Sequence, residues 1–322
     1  MMQFYQKRDF GALIGDTFTF FKTYGRNYFR NYFLINGILL ILLVVVFILF
    51  YREFASQIFD GNADGQSYYF ETYFNENQGI LIFVFGITFI LFVAIFMMNY
   101  IFPVLYMKRA SFTGKFNISS DEMLADIKSQ TPKIFKLILG MMFVVAPLSL
   151  LVFGVTYALV FIFIGIFLML FVFPVFMNFV NFIMFDYLHT NRGFFESLSY
   201  AMRAQFSYPN GRENSPFWKY WGSVIVTYLI INVVVSAFTM IPMFFMIFQA
   251  IAMEEQGHSV DNPFEGTMGI IFFVFYGISM LASFILMNIL YVNSGLMYYD
   301  SRTDLHRRVD FEEINLIGKH EE

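Results

Sequence analysis

Residues 137–185, LILGMMFVVAPLSLLVFGVTYALVFIFIGIFLMLFVFPVFMNFVNFIMF, run for 49 positions without a charged side chain. A helix rises about 1.5 Å per residue and needs about 20 apolar residues to cross a bilayer, so this run is too long for one crossing and the right length for two. Pro147 and Gly154 are turn-forming residue types, and they place the expected reversal between positions 147 and 154, with spans over 137–153 and 155–185.

Working outward, four more runs reach spanning length: 33–51, 80–107 with Pro103 inside it, 220–253 with Pro242, and 267–299. Several exceed the minimum, which tilt or a kink would absorb. The composition agrees. The 322 residues are 58% hydrophobic, 21% aromatic and only 14% charged, with 47 Phe, whereas a soluble domain is about 45–50% apolar and about 25% charged. That balance excludes a water-soluble enzyme and a disordered chain alike. The expected fold class is all-α: a six-span transmembrane helical bundle forming a single integral membrane domain over 1–322.

The net charge of −4 is uninformative until the charges are placed. Of 20 Lys and Arg, five precede the first span, six lie between the second and third, four between the fourth and fifth, and four after the sixth. Only Arg52 falls on the other side of a six-span arrangement. The positive-inside rule then puts both termini and the tail 300–322 in the cytoplasm, in the cell inner (cytoplasmic) membrane, with the acidic loops 51–78 and 254–265 outside. The first apolar run starts at Phe33, behind a long amphipathic segment and without a small-residue cleavage pattern, so it is expected to be a permanent anchor.

Three segments share a helical register. Phe10, Leu13, Thr17 and Phe21 precede the first span. Leu124, Ile127, Thr131 and Phe135 precede the third, behind a capping-box start at Ser119 and Glu122. Phe195, Leu198, Met202 and Phe206 precede the fifth. Each leads into a basic, aromatic strip: 22–33 (KTYGRNYFRNYF), 133–137 (KIFKL) and 216–222 (PFWKYWG). Aromatics and snorkelling cations at that depth anchor a helix at the interface. The first interfacial helix is expected over 9–24, and the candidate anchors are Lys22, Arg26, Arg30, Lys133, Lys136, Trp218, Lys219 and Trp221. The chain thus reads as three repeated units of interfacial amphipathic helix plus two spans. Met-Asn pairs at Met98-Asn99, Met177-Asn178 and Met287-Asn288 support one register, while Phe102-Pro103-Val104 and Phe173-Pro174-Val175 support a rival one.

The stretch 9–33 (DFGALIGDTFTFFKTYGRNYFRNYF), with a weaker echo at 193–206, resembles the membrane-domain superfamily associated with glycerophosphoryl diester phosphodiesterases and its polytopic relatives. The resemblance covers most of the chain by layout, through a loose motif. It implies a stand-alone membrane domain without the catalytic domain that some relatives append, and it carries over no activity.

Chemistry is sparse. With no cysteine, thiolate metal sites and thiol nucleophiles are excluded. The spans contain no ionisable residue, which disfavours a proton relay. Asp186 and Asp300, at the ends of spans, read as solvated helix-end carboxylates, with a headgroup or partner contact as the alternative. His189, His306 and His320 fall on one side and His258 on the other, so they cannot share a metal. H-E-x-x-H, G-x-S-x-G, Walker A and G-x-G-x-x-G patterns are absent. No catalytic, cofactor-binding or metal-binding residue is expected, no cofactor is implied, and the chain is not read as an enzyme.

The remaining candidates are amides in apolar spans: Asn99, Asn178, Asn181, Asn232, Asn288 and Asn293. They serve either as interhelical glue or, for Asn99, Asn178 and Asn288, as an intramembrane polar cluster lining a pocket between the units. Lys108, Arg109, Lys115 and Lys128 add to the anchors above, so the cytoplasmic face should attract anionic headgroups of membrane lipids. A membrane protein partner is possible and nucleic-acid binding is not expected. The functional expectation is a non-enzymatic polytopic membrane protein acting as a subunit, scaffold or membrane-organising factor. The alternative is a transporter or lipid-handling protein with a pocket between repeated units.

Overall fold

The computed structural model describes residues 2–51, 54–55, 67–208, 214–255 and 266–305. Arg52, His258, His306 and His320, and most of both acidic loops and of the C-terminal tail, lie outside the described residues. Within them regular structure is helical throughout, with no strand: α1 (Phe10–Val46), α2 (Ser67–Thr113), α3 (Ser120–Gly140), α4 (Ala146–Ala158), α5 (Ile164–His189), α6 (Phe194–Phe206), α7 (Phe217–Glu255) and α8 (Gly266–Ser301). Six helical stretches are long and apolar enough to cross a membrane. The chain is a multi-pass membrane protein of the all-α class.

Local chemistry sets the helix starts. Asp9 caps α1 by accepting the Ala12 amide at 2.7 Å. Ser119 caps α3 in the expected capping box: its hydroxyl takes the Glu122 amide at 3.2 Å, and Glu122 accepts the Ser119 amide at 2.8 Å. Glu196 reaches back to the Gly193 amide at 2.9 Å to start α6. After α2 the chain turns at Gly114, whose φ of 66° is cheap for a residue without Cβ.

Two expected boundaries move. α1 is one continuous helix, so the segment 9–24 and the span 33–51 are not separated; nothing between Lys22 and Phe33 interrupts the backbone ladder. The reversal expected at 147–154 lies later, in a 3₁₀ turn at Leu159–Ile162 followed by Phe163 with φ 63°. Pro147 does not end the helix, because it sits in the first turn of α4, where its missing N–H matters least. The π-helical turn Met141–Val145 just before it gives the ring space. Gly154 meets nothing within 4 Å. At Gly165 a Cβ would lie 2.3 Å from the Thr156 carbonyl oxygen and 2.3 Å from the Val160 nitrogen. Only glycine lets α5 start so close to the end of α4.

The helices fall into two compact units, one comprising Met1–Ile35, Tyr100–Leu229 and Asn288–Glu322, the other Asn36–Asn99 and Ile230–Met287. The second is packed by aromatics and aliphatics: Phe47 stacks with Tyr276 at 5.8 Å, and Val44 and Ile48 close over Gly277. The first holds most of the buried polar groups described below.

Candidate functional site

The side chains with chemistry gather in the first unit, where the ends of α5 and α8 meet α6, the start of α7 and the N-terminal segment. Asp300, in the last turn of α8, is fully buried. Its Oδ2 accepts from Lys219 Nζ at 2.7 Å, Tyr220 OH at 2.5 Å and Tyr208 OH at 3.0 Å, and its Oδ1 from the Arg8 backbone amide at 2.6 Å. Lys219 also donates to the Arg8 carbonyl at 2.6 Å, so the carboxylate and the ammonium grip the two sides of one residue's backbone. Lys219, expected as an interfacial anchor, is turned inward as a counter-ion.

Arg8 is itself buried. Its guanidinium pairs with Asp16 at 2.9 Å and donates to the carbonyls of Phe4 at 2.8 Å and Gln3 at 2.5 Å, winding the N-terminal segment around it. Burial lowers the pKa of Arg8 and Asp16 opposes that shift; an arginine remains a cation under such a shift. Phe4 and Tyr5 pack on Tyr299, each with ring centroids 4.9 Å away.

Asp186, near the end of α5, is the second buried carboxylate. It accepts from Arg192 at 2.9 Å and from Tyr298 OH at 3.5 Å. One turn on, the His189 ring is held between the Phe185 carbonyl, 3.1 Å from Nδ1, and Tyr299 OH, 2.6 Å from Nε2. A carbonyl oxygen can only accept, so Nδ1 carries a proton and donates it to Phe185. Tyr200 OH shares a 2.6 Å hydrogen bond with Ser301, and burial raises the Tyr200 pKa. The solvated helix-end reading of Asp186 and Asp300 is therefore corrected. Both have fully buried side chains, each with a cation beside it, which is the condition under which a carboxylate tolerates burial.

Deeper in the same unit, Asn293 ties three helices. Its amide donates to the Leu13 carbonyl at 3.2 Å and Thr17 Oγ1 at 3.0 Å on α1, and exchanges hydrogen bonds with Ser223 on α7. Of the candidate polar cluster, Asn178 accepts from Ser294 at 3.3 Å and Asn288 from Tyr28 OH at 2.7 Å. Asn99 is also buried and belongs to the second unit. Asn181 bonds within its own helix, to the Met177 carbonyl.

Among the other anchors, Lys22, Arg26 and Arg30 are exposed at four-residue spacing along α1, and Lys136 is exposed on α3. Lys133 bends inward to the Thr190 carbonyl, lying over the Tyr187 ring. Trp218 is exposed, while Trp221 stacks on Phe171 at 5.3 Å and donates to the Leu170 carbonyl at 3.0 Å. Sequence reasoning missed Arg8, Arg192, Tyr208 and Tyr220. The tyrosine pair directly before Asp300 gave no signal for them, since Tyr298 bonds to Asp186 and Tyr299 to His189, while the hydroxyls on Asp300 come from distant Tyr208 and Tyr220.

Comparisons with protein-family models, with curated proteins and with solved structures find no match to this chain.

Proposed function

We propose that this multi-pass membrane protein acts without enzymatic chemistry of its own, as a subunit or scaffold whose lateral faces take up partner helices and lipid. The observation that carries the reading is how little of its apolar surface the chain covers by itself. In the stretch Ser120–Ile162 only 11% of the most apolar window is buried, and Phe143, Leu150, Leu151 and Phe161 stand exposed. Lipid chains can cover such faces, and so can another protein's helices, packing by shape where no water drives association. The buried ionic groups also support it. Asp300 and Lys219 are engaged in tying helix ends and the N-terminal segment together, as a rigid platform requires. The cytoplasmic membrane, with both termini inside, is the proposed location on the strength of the Lys and Arg distribution.

The test is purification of the tagged protein from its native membrane in mild detergent, followed by mass spectrometry of co-eluting proteins and lipids. A partner protein or a second copy in fixed proportion is the expected result. A lone chain carrying one enriched lipid would replace the scaffold reading with lipid handling.

A further inference from the structure

Beside these ties the first unit holds open space. A cavity of about 400 Å³ opens between α6 and the end of α8, lined by Arg192, Tyr200, Arg203, Ser207, Arg302 and Asp304 among others. An adjoining cavity of about 530 Å³ shares Arg192, Tyr200 and Arg203 and adds Phe195, Glu196 and Ser199. Both volumes fall within the roughly 300–1,000 Å³ typical of ligand pockets. The first is faced by three arginines against one carboxylate.

The guanidinium groups keep donors available. A guanidinium has five N–H groups. Among the described residues Arg192 directs one hydrogen bond to Asp186 and Arg203 one long hydrogen bond, 3.4 Å, to the Ser199 carbonyl. Arg302 is more engaged, with Asp304 at 3.0 Å through two nitrogens and with Tyr298 OH at 2.8 Å. Arg192 and Arg302 are held in place by the tyrosine rings beneath them, 5.0 Å from Tyr200 and 5.8 Å from Tyr298. Fixed planar guanidiniums around one cavity match the oxygens of a phosphate, which they bind in paired fashion.

The helix beside the cavity carries apolar side chains outward among polar ones. α6 buries Ser197, Tyr200, Ala201, Ala204 and Gln205, and its exposed side holds Phe195, Met202 and Phe206 together with Glu196, Ser199 and Arg203. An outward apolar face on a short helix is suited to lie among acyl chains at the interface. Apolar side chains beside a cavity faced by arginines are the arrangement that would seat a phospholipid, acyl chains along Phe195, Met202 and Phe206 and phosphate against the guanidiniums.

We propose that the Arg192–Arg203–Arg302 cavity binds the phosphate of an anionic phospholipid. This goes beyond general attraction of basic residues to a membrane, because it assigns one saturable site. It rests on the membrane reading and not on the scaffold role, so its failure leaves the co-purification result standing, and the converse.

The test is titration of the full-length detergent-solubilised protein with short-chain phosphatidylglycerol, with phosphatidylcholine and with inorganic phosphate, read by native mass spectrometry and thermal shift. Phosphatidylglycerol should saturate at one per chain and bind at least tenfold more tightly than either comparison ligand. Arg203→Gln, which among the described residues touches no ion pair, should weaken it about tenfold while leaving the melting temperature without ligand unchanged. Asp304→Asn should keep or strengthen it, and Lys22→Gln with Arg26→Gln on α1 should leave it intact. Inorganic phosphate binding as tightly as the lipid would overturn the lipid as the source of the phosphate. Absence of a saturable site, or equal losses in the Arg203 and α1 variants, would overturn the site itself.

Discussion

Lys219 Nζ lies 2.7 Å from Asp300 Oδ2, and the Asp300 side chain has no solvent exposure. Removing one member leaves the other buried without its counter-ion, at a cost of about 3–5 kcal/mol, whereas removing both in favour of apolar groups costs far less. Asp300→Leu should therefore lower the melting temperature in detergent sharply, and the double variant Asp300→Leu with Lys219→Met should recover part of the loss, the Arg8 amide and the Tyr208 and Tyr220 hydroxyls still lacking their acceptor. Additive losses in the double-mutant cycle would show the two residues act independently.

Asn293 and Asn181 are both buried amides in apolar helices, yet they differ in what they hold. Asn293 bonds to α1 and α7, while among the described residues Asn181 bonds to its own helix. Interhelical hydrogen bonds in membranes average about 0.6 kcal/mol and reach about 1.7. Asn293→Leu should thus cost about 2 kcal/mol and Asn181→Leu close to nothing, measured as unfolding in mixed micelles.

The α4–α5 turn makes a prediction of opposite signs. Gly165→Ala drives a Cβ into backbone atoms at 2.3 Å and should cost more than the about 1–3 kcal/mol of ordinary overpacking, seen as loss of folded yield. Gly154→Ala, in open space inside α4, should cost nothing and gain up to about 1 kcal/mol. Phe163→Gly should gain about 1 kcal/mol, since Phe163 holds a left-handed backbone that costs an L side chain about that much.

The Arg302–Asp304 pair sets a pH dependence. Burial pushes the Asp304 carboxyl up, but hydrogen bonding and charge from Arg302 outweigh it, so its folded pKa lies below the ordinary value. A depressed carboxylate contributes stability that is fully present above its unfolded pKa, about 3.9 for Asp, and is lost as pH falls through the folded value. The melting-temperature gap between the wild type and Asp304→Asn should be constant above about pH 5 and shrink below about pH 4. A gap that widens on acidification would contradict the assignment.

What the sequence revealed, and what it hid, follows from the range of the interactions. The long uncharged run 137–185 and the capping box at Ser119 are local signals, and they read correctly. The turn was misplaced because Pro147 and Gly154 are turn formers in water, whereas in an apolar helix a first-turn proline and an uncrowded glycine are tolerated. The informative residue, Gly165, matters only through a contact with the preceding helix. Asp300 was visible as the ionisable group nearest a span, but its partners Arg8, Tyr208 and Lys219 lie 292, 92 and 81 positions away. No pattern along the chain reports such a convergence. The inward turn of Lys219 to Asp300 was hidden for the same reason, since beside Trp218 and Trp221 it looks like one more interfacial anchor.

The central claim is a chain crossing the membrane six times with its arginine- and lysine-rich ends inside. Because the protein has no cysteine, single introduced thiols report topology cleanly. The most direct measurement is labelling of intact cells with a membrane-impermeant maleimide, using Asn62→Cys, Ser259→Cys, Ser129→Cys and Asn191→Cys. The account predicts labelling of the first two from outside, and of the last two only after permeabilisation. Labelling of Ser129→Cys or Asn191→Cys in intact cells, with protection of Asn62→Cys, would contradict it.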